Sequence, residues 1–211
     1  MTGSDPSEVA TRLNRLLRES GLEALRPEQA NRFAIYLSLI LRWNARTNLT
    51  AVRDEEGILS RHFLECIAVA VLLPADVRIL LDFGTGAGLP GIPIALCRPG
   101  ITVTLAESQG KKAAFLQEAV RSLGLTAQVH AGRAEQLQAE FDCVTLRAVD
   151  RMSEAVRSAA GLVRSKGWLA VMTTRAQVAE IENAAGLGFR WEEAAPLRGS
   201  DQRILLLGHK S

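Results

Sequence analysis

Cysteine and histidine are scarce, with three of each in 211 residues. Cys66, Cys97 and Cys143 stand far apart, with no CxxC pair and no zinc-ligand spacing. That excludes a disulfide scaffold and a cysteine-held zinc, and no metal site is expected. Each cysteine is expected to be a small buried core residue in a reducing compartment. Long apolar runs are missing as well. No stretch of about 18 apolar residues occurs, so neither a transmembrane helix nor a membrane partner is expected. The opening residues, MTGSDPSEVATRL, lack a basic-then-apolar signal pattern, which makes the cytoplasm the expected location. No internal repeat or low-complexity segment is visible. Neither sign of charge dominates. A net charge of +2 gives, by itself, no argument for a nucleic-acid partner.

Hydrophobic residues make up 47%, enough for the core of one domain with a small extension. The bases are unevenly spread. From Gln29 to Arg53 there is no acid, yet Arg32, Arg42, Arg46 and Arg53 are present. Arg147, Arg151, Arg157, Arg164, Lys166 and Arg175 face only Asp150 and Glu154 over a second stretch. Such runs are either solvated helix faces or a phosphate-binding rim.

Residues 1–75 read as helical. SEVATRLNRLLRES places Val9, Leu13, Leu16 and Leu17 on one face, with Gly21 as a stop. A second helix starts near Pro27. A third follows Arg53, with Asp54 as its N-cap, and runs to Pro74. From residue 77 short apolar strands alternate with helices, which predicts a parallel sheet covered on both faces. At the end, FRWEEAAPL and QRILLLGHK have no helix between them and predict an antiparallel hairpin closing the sheet edge. The expected fold is thus α/β and Rossmann-like, a mostly parallel seven-stranded sheet with a C-terminal hairpin. The helical extension (1–75) and the main domain (76–211) are expected to pack as one unit.

The first strand runs into ILLDFGTGAGLPGIPIAL, residues 79–96. Gly86, Gly88 and Gly91 fit the G-x-G-x-x-G of dinucleotide loops. Yet Pro90 and Pro93 remove donors at a helix start that a pyrophosphate would need. Asp82, Gly84, Gly86 and Gly88 fit better the acidic-x-Gly-x-Gly-x-Gly loop that holds S-adenosylmethionine (SAM). SAM is a cation without phosphates, so an acid at the strand tip suits it and a phosphate cradle is not needed. Glu107 ends the second strand, where a carboxylate can accept hydrogen bonds from ribose hydroxyls of either ligand. A SAM-dependent methyltransferase fits best. The fourth strand, CVTLRAVD, lacks an Asp/Asn-Pro-Pro-aromatic stretch and a Pro-Cys nucleophile, which argues against exocyclic-nitrogen, amide-nitrogen and cytosine-C5 acceptors. The acceptor class stays open between RNA, protein and small molecules on these residues alone. A nicotinamide oxidoreductase and a non-catalytic binding protein remain as rivals.

Several blocks, in order and spacing, resemble the ribosomal small-subunit methyltransferase G family, also called glucose-inhibited division protein B. They are NLTAVRDEEGILSRHFLE (48–65), DFGTGAGLPGIPIAL (82–96), ESQGKKAAFL (107–116), GRAEQL (132–137) and LRAV (146–149). The resemblance spans about residues 30–208. It implies SAM-dependent methylation of N7 of one guanine in 16S ribosomal RNA, in a loop near the decoding region. The substrate would be that RNA or a small-subunit assembly intermediate, acted on by a monomer. By position it implies cofactor contacts at Gly84, Leu89, Glu107, Ser108, Ala134, Glu135 and Arg147. The family often has Asp where this chain has Glu107, which keeps the carboxylate and adds a methylene.

N7 of guanine carries a lone pair and no proton at neutral pH, so methylation there needs no general base. No dedicated catalytic residue is therefore expected, with Arg147 the one candidate. Its guanidinium needs an anion, either the SAM carboxylate or an RNA phosphate. His62 reads as a packing histidine. Candidate phosphate contacts are Arg42, Arg46, Arg53, Lys111, Lys112, Arg198 and Arg203.

Overall fold

The computed structural model describes residues 5–147, 151–197 and 202–211. Helix α1 (Pro6–Glu19) starts where the Asp5 carboxylate accepts from the Ser7 amide. Val9, Leu13 and Leu17, four residues apart, are its buried stripe. Helix α2 (Pro27–Asn44) carries proline in its first turn and buries Phe33, Tyr36, Leu37 and Ile40. Asn44 then ties down the following loop. Its Oδ1 accepts from the Leu49 and Thr50 amides, and its Nδ2 donates to the Thr50 and Val52 carbonyls. Asp54 caps α3 (Glu55–Ile58) by accepting from the Gly57 amide at 2.7 Å.

The third helix is not uniform. Between α3 and α4 (Leu64–Leu72) lies a five-residue π-helical stretch, Leu59–Phe63. Periodicity does not foretell such a widened turn.

Strands β1 (Ile79–Phe83), β2 (Thr102–Ala106), β3 (Gln128–His130), β4 (Phe141–Arg147) and β5 (Val163–Thr174) are parallel. Helices α5 (Gly91–Cys97), α6 (Gly110–Ser122), α7 (Met152–Leu162) and α8 (Val178–Ala185) connect or follow them. The sheet order is β3-β2-β1-β4-β5-β8-β6. Here β6 is Phe189–Trp191 and β8 is Arg203–Lys210, antiparallel to both neighbours.

One detail corrects the expectation from sequence. Among the described residues the sheet has eight strands, because FRWEEAAPL breaks into β6 and a two-residue β7 (Ala195–Pro196), both paired to β8. The exposed Glu192 and Glu193 lie in the break, and Pro196 has no amide with which to extend the ladder. The hairpin does close the sheet edge, with β6 outermost. β8 inserts between β5 and β6, which is where its apolar run Ile204–Leu207 is buried on both sides.

Adjacent residues of β1 serve opposite faces, as a period of two requires. Leu80 joins the hydrophobic cluster built with α1, α2 and α4, and Leu81 joins the one built with α7 and α8. The helical layer thus shares its core with one face of the sheet. Phe63 sits at the junction, stacked on Tyr36 at 5.2 Å and edge-on to Phe33 at 5.1 Å. Cys66 and Cys143 are buried and Cys97 is half-buried, and burial pushes the Cys66 and Cys97 thiols up to about 12. Among the described residues no helix is long and apolar enough to cross a membrane.

Candidate functional site

The loop after β1 turns back on itself through three left-handed glycines, Gly84, Gly86 and Gly88, with φ of 64°, 60° and 84°. Asp82 does not face a ligand from this loop, contrary to the expectation for an acid at the strand tip. Its side chain is fully buried and its oxygens are committed inward. Oδ1 accepts from the Thr145 hydroxyl at 2.9 Å, and Oδ2 accepts from the Gly91 amide at 2.8 Å and from the Thr85 hydroxyl. Burial raises its carboxyl above the usual range, and the three donors oppose that rise. Asp82 is the brace that ties the loop to the start of α5. Gly91 serves the same brace. A Cβ there would lie 2.7 Å from Asp82 Oδ2.

Gly88 answers to the helical layer. A Cβ at Gly88 would meet Ile92 and, at 2.9 Å, the Tyr36 hydroxyl. Tyr36, fully buried on α2, donates that hydroxyl to the Ala87 carbonyl. The sequence gives no sign of this contact, since nothing local links α2 to a loop 51 residues away.

Beside the loop opens a pocket of about 450 Å³, within the size range of small-ligand sites. Gly84, Glu107, Ser108, Ala134 and Glu135, all expected to hold the cofactor, line it together. Glu107 is nearly buried, with Oε2 accepting from the Gly86 amide at 3.1 Å and Oε1 from the Gln109 amide at 2.8 Å. Each oxygen keeps a further lone pair for a ligand hydroxyl. Gly86 thus reaches the site through Glu107, while Gly88 and Leu89 lie outside the lining. Arg133, Arg151, Glu154 and Ser158 add polar groups to the wall. Arg133 belongs to the GRAEQL block, while no motif marks the other three.

The amides of the loop settle which ligand class fits. Gly86 donates to Glu107, Gly88 and Leu89 to the Thr85 carbonyl, Gly91 to Asp82 and Ile92 to the Gly88 carbonyl. Pro90 has none to give. A pyrophosphate cradle needs those donors free. A nucleoside gripped by carboxylates does not, so the residues present fit SAM.

The sequence model of the family described as rRNA small subunit methyltransferase G matches residues 29–188. A Stenotrophomonas maltophilia protein named ribosomal RNA small subunit methyltransferase G is 41% identical over 198 residues, covering 91% of this chain and 89% of its own. The chain belongs to this family. Solved structures show the fold of its class. A predicted O-methyltransferase from Agrobacterium tumefaciens aligns with a TM-score of 0.57 at 23% identity, over 71% of this chain and 80% of that one. Magnesium protoporphyrin IX methyltransferase from Synechocystis, solved with bound SAM, aligns with a TM-score of 0.53 at 14% identity, over 100% and 99%. The architecture is that of class I SAM-dependent methyltransferases.

In this family member Arg147 does not line the cofactor pocket. Its side chain, 6% exposed, turns from the tip of β4 onto the helical layer. It meets Glu65 Oε2 at 3.4 Å, the Arg61 carbonyl at 3.2 Å and His62 Nδ1 at 2.7 Å. The anion sought for this guanidinium is therefore Glu65. The geometry also fixes the His62 tautomer. An arginine can only donate, so Nδ1 accepts and Nε2 carries the proton, which points to Thr50 Oγ1 at 2.7 Å. Burial, then the Arg147 charge, lower the His62 pKa to about 3, so the ring is neutral. Burial raises the Glu65 carboxyl, and Arg147 opposes it. The π-helical stretch supplies Arg61, His62 and Phe63 at this junction.

The candidate phosphate contacts fall into separate places. Arg42, Arg46 and Lys111 line one cleft between α2 and α6, with Lys112 half-buried next to Lys111. Arg53 holds Asn48 Oδ1 at 2.9 Å, and Arg203 opens β8, where its charge is felt by His62 and Glu65. Arg198 lies outside the described residues. Among the described residues no group of three or more side chains could hold a metal ion.

Proposed function

We propose that the protein transfers the methyl group of SAM to N7 of a single guanine in 16S ribosomal RNA, naked or within a small-subunit assembly intermediate. The observation that carries this reading is the loop with its Gly86, Gly88, Leu89 and Gly91 amides internally spent beside a carboxylate-walled pocket, in a chain of this family. When bound, SAM supplies an electrophilic methyl on a sulfonium. Glu107 would hold the ribose hydroxyls and Ala134 and Glu135 would flank the adenine. The Asp82–Thr145–Gly91 brace keeps the loop in one shape, so little order is lost on binding. N7 brings its own electron pair, so the protein has to exclude water and align the two reactants. Orientation of that kind is worth up to about 7–11 kcal/mol. The protein is proposed to act as a monomer in the cytoplasm, its helical extension and main domain moving as one body.

Mapping N7-methylguanine in 16S RNA from cells with and without the protein tests the proposal. The modification should vanish at one position and return with the gene. Methyl transfer to protein or metabolites but not to RNA would refute it.

A further inference from the structure

A second cavity, of about 490 Å³, opens between the end of α2 and α6. Arg42, Trp43, Arg46, Thr47, Lys111 and Glu118 line it. Three of the six are cations and one is an acid. The acid is tethered. Glu118 Oε2 accepts from the Trp43 indole at 2.9 Å, while Oε1 pairs with the Arg42 guanidinium. Trp43 is in turn packed edge-on against Phe115 at 5.8 Å, so the indole is a fixed wall. Arg46 and Lys111 are exposed, and among the described residues the ion pair that lines this cavity is made by Arg42 rather than by either of them. Lys111 stands in the first turn of α6, where the helix dipole adds to its charge.

The cleft is close to the cofactor pocket. Glu107 and Ser108 line that pocket and Lys111 lines this one. Four residues of chain span at most about 14 Å. An RNA strand long enough to bridge that separation can touch both.

We propose that this cleft seats a backbone phosphate of the substrate RNA, and that Glu118 acts as its gate. The inference rests on the RNA-methyltransferase reading above. Arg46 and Lys111 take the phosphate directly. Arg42 is held in place by Glu118 and half-neutralised by it. The phosphate then competes with a carboxylate that the indole keeps from swinging away. Such a gate weakens binding to any polyanion and leaves the discrimination to the rest of the surface.

Binding is measured over a series of salt concentrations, using whichever of a naked 16S transcript or isolated small subunits the wild type methylates. Calorimetry with SAM serves as the control for folding. The pair Arg46→Gln with Lys111→Gln should weaken binding, and flatten the slope of log K against log salt by about 0.7 per lost contact. Glu118→Gln keeps an acceptor for the indole and removes the charge. It should tighten binding by about 1.4- to 5-fold and steepen the slope. Wild-type affinity and slope in the double variant, with SAM binding intact, would overturn the phosphate seat. Weaker or unchanged binding in Glu118→Gln would overturn the gate. If the wild type methylates neither substrate, the RNA reading itself fails and takes the cleft with it.

Discussion

Replacing His62 by glutamine tests the chain of hydrogen bonds from Thr50 through His62 to Arg147. Glutamine can reproduce both ends, its carbonyl accepting from Arg147 and its amide donating to Thr50. What it cannot do is titrate. The folded pKa of His62 is lowered to about 3 and the unfolded value is about 6.5. The unfolded chain therefore binds the extra proton, and stability rises with pH across that interval. The contribution is fully present above pH 6.5 and is lost as pH falls toward 3. Between pH 7.5 and 5.5 the loss is about 1.4 kcal/mol, and any folded value below about 4 gives the same figure. Glu65 and Asp82, whose carboxyls are raised, act with the opposite sign, their contribution being lost as pH rises. They are common to both proteins and drop out of the difference. Urea unfolding at the two pH values should show wild type losing about 1.4 kcal/mol more than His62→Gln. Equal losses would mean that His62 is protonated in the folded protein, and the assigned tautomer would be wrong.

Other consequences are as direct. Glu107→Gln turns an amide N–H toward one of two backbone donors and removes the charge that would grip the ribose. SAM affinity by calorimetry should fall about tenfold to a hundredfold, and an unchanged value would remove Glu107 from the site. Arg147→Ala leaves Glu65 buried without its cation and should destabilise the fold by about 3 kcal/mol, with SAM affinity changed only a few-fold. A variant as stable as wild type that no longer binds SAM would instead restore Arg147 to the cofactor. Gly91→Ala forces a methyl against Asp82 and should cost about 1–3 kcal/mol in thermal or urea unfolding. Gly100→Ala, with open space at its Cβ, should not, and equal effects would discount the brace. Tyr36→Phe unpairs the buried Ala87 carbonyl and should cost about 1–3 kcal/mol by the same measurement.

The α/β alternation, the glycine loop, and the carboxylate ending β2 could be read directly, because each depends on neighbours within a few residues. A strand needs its own apolar period, and Gly84, Gly86 and Gly88 need only their own left-handed φ. The π-helical stretch and the split of β6 from β7 were not legible. Both are small local departures that packing against other elements selects. The same limit applied to side-chain direction. Asp82 and Glu107 both sit at the ends of neighbouring strands and look alike on paper. One is enclosed by Thr85, Gly91 and Thr145, and the other lines the pocket.

The amino-acid order alone determined that this chain would carry a SAM-type loop on a parallel sheet, and that basic residues would gather before and after it. Only the tertiary structure decided the partners of its charges. Arg147 finds Glu65 from 82 residues away, Arg42 finds Glu118 from 76, and Asp82 finds Thr145 from 63. A charge in a low-dielectric interior takes whichever counter-group the stacking of helices and strands brings within about 4 Å, and that stacking is set by the shared core.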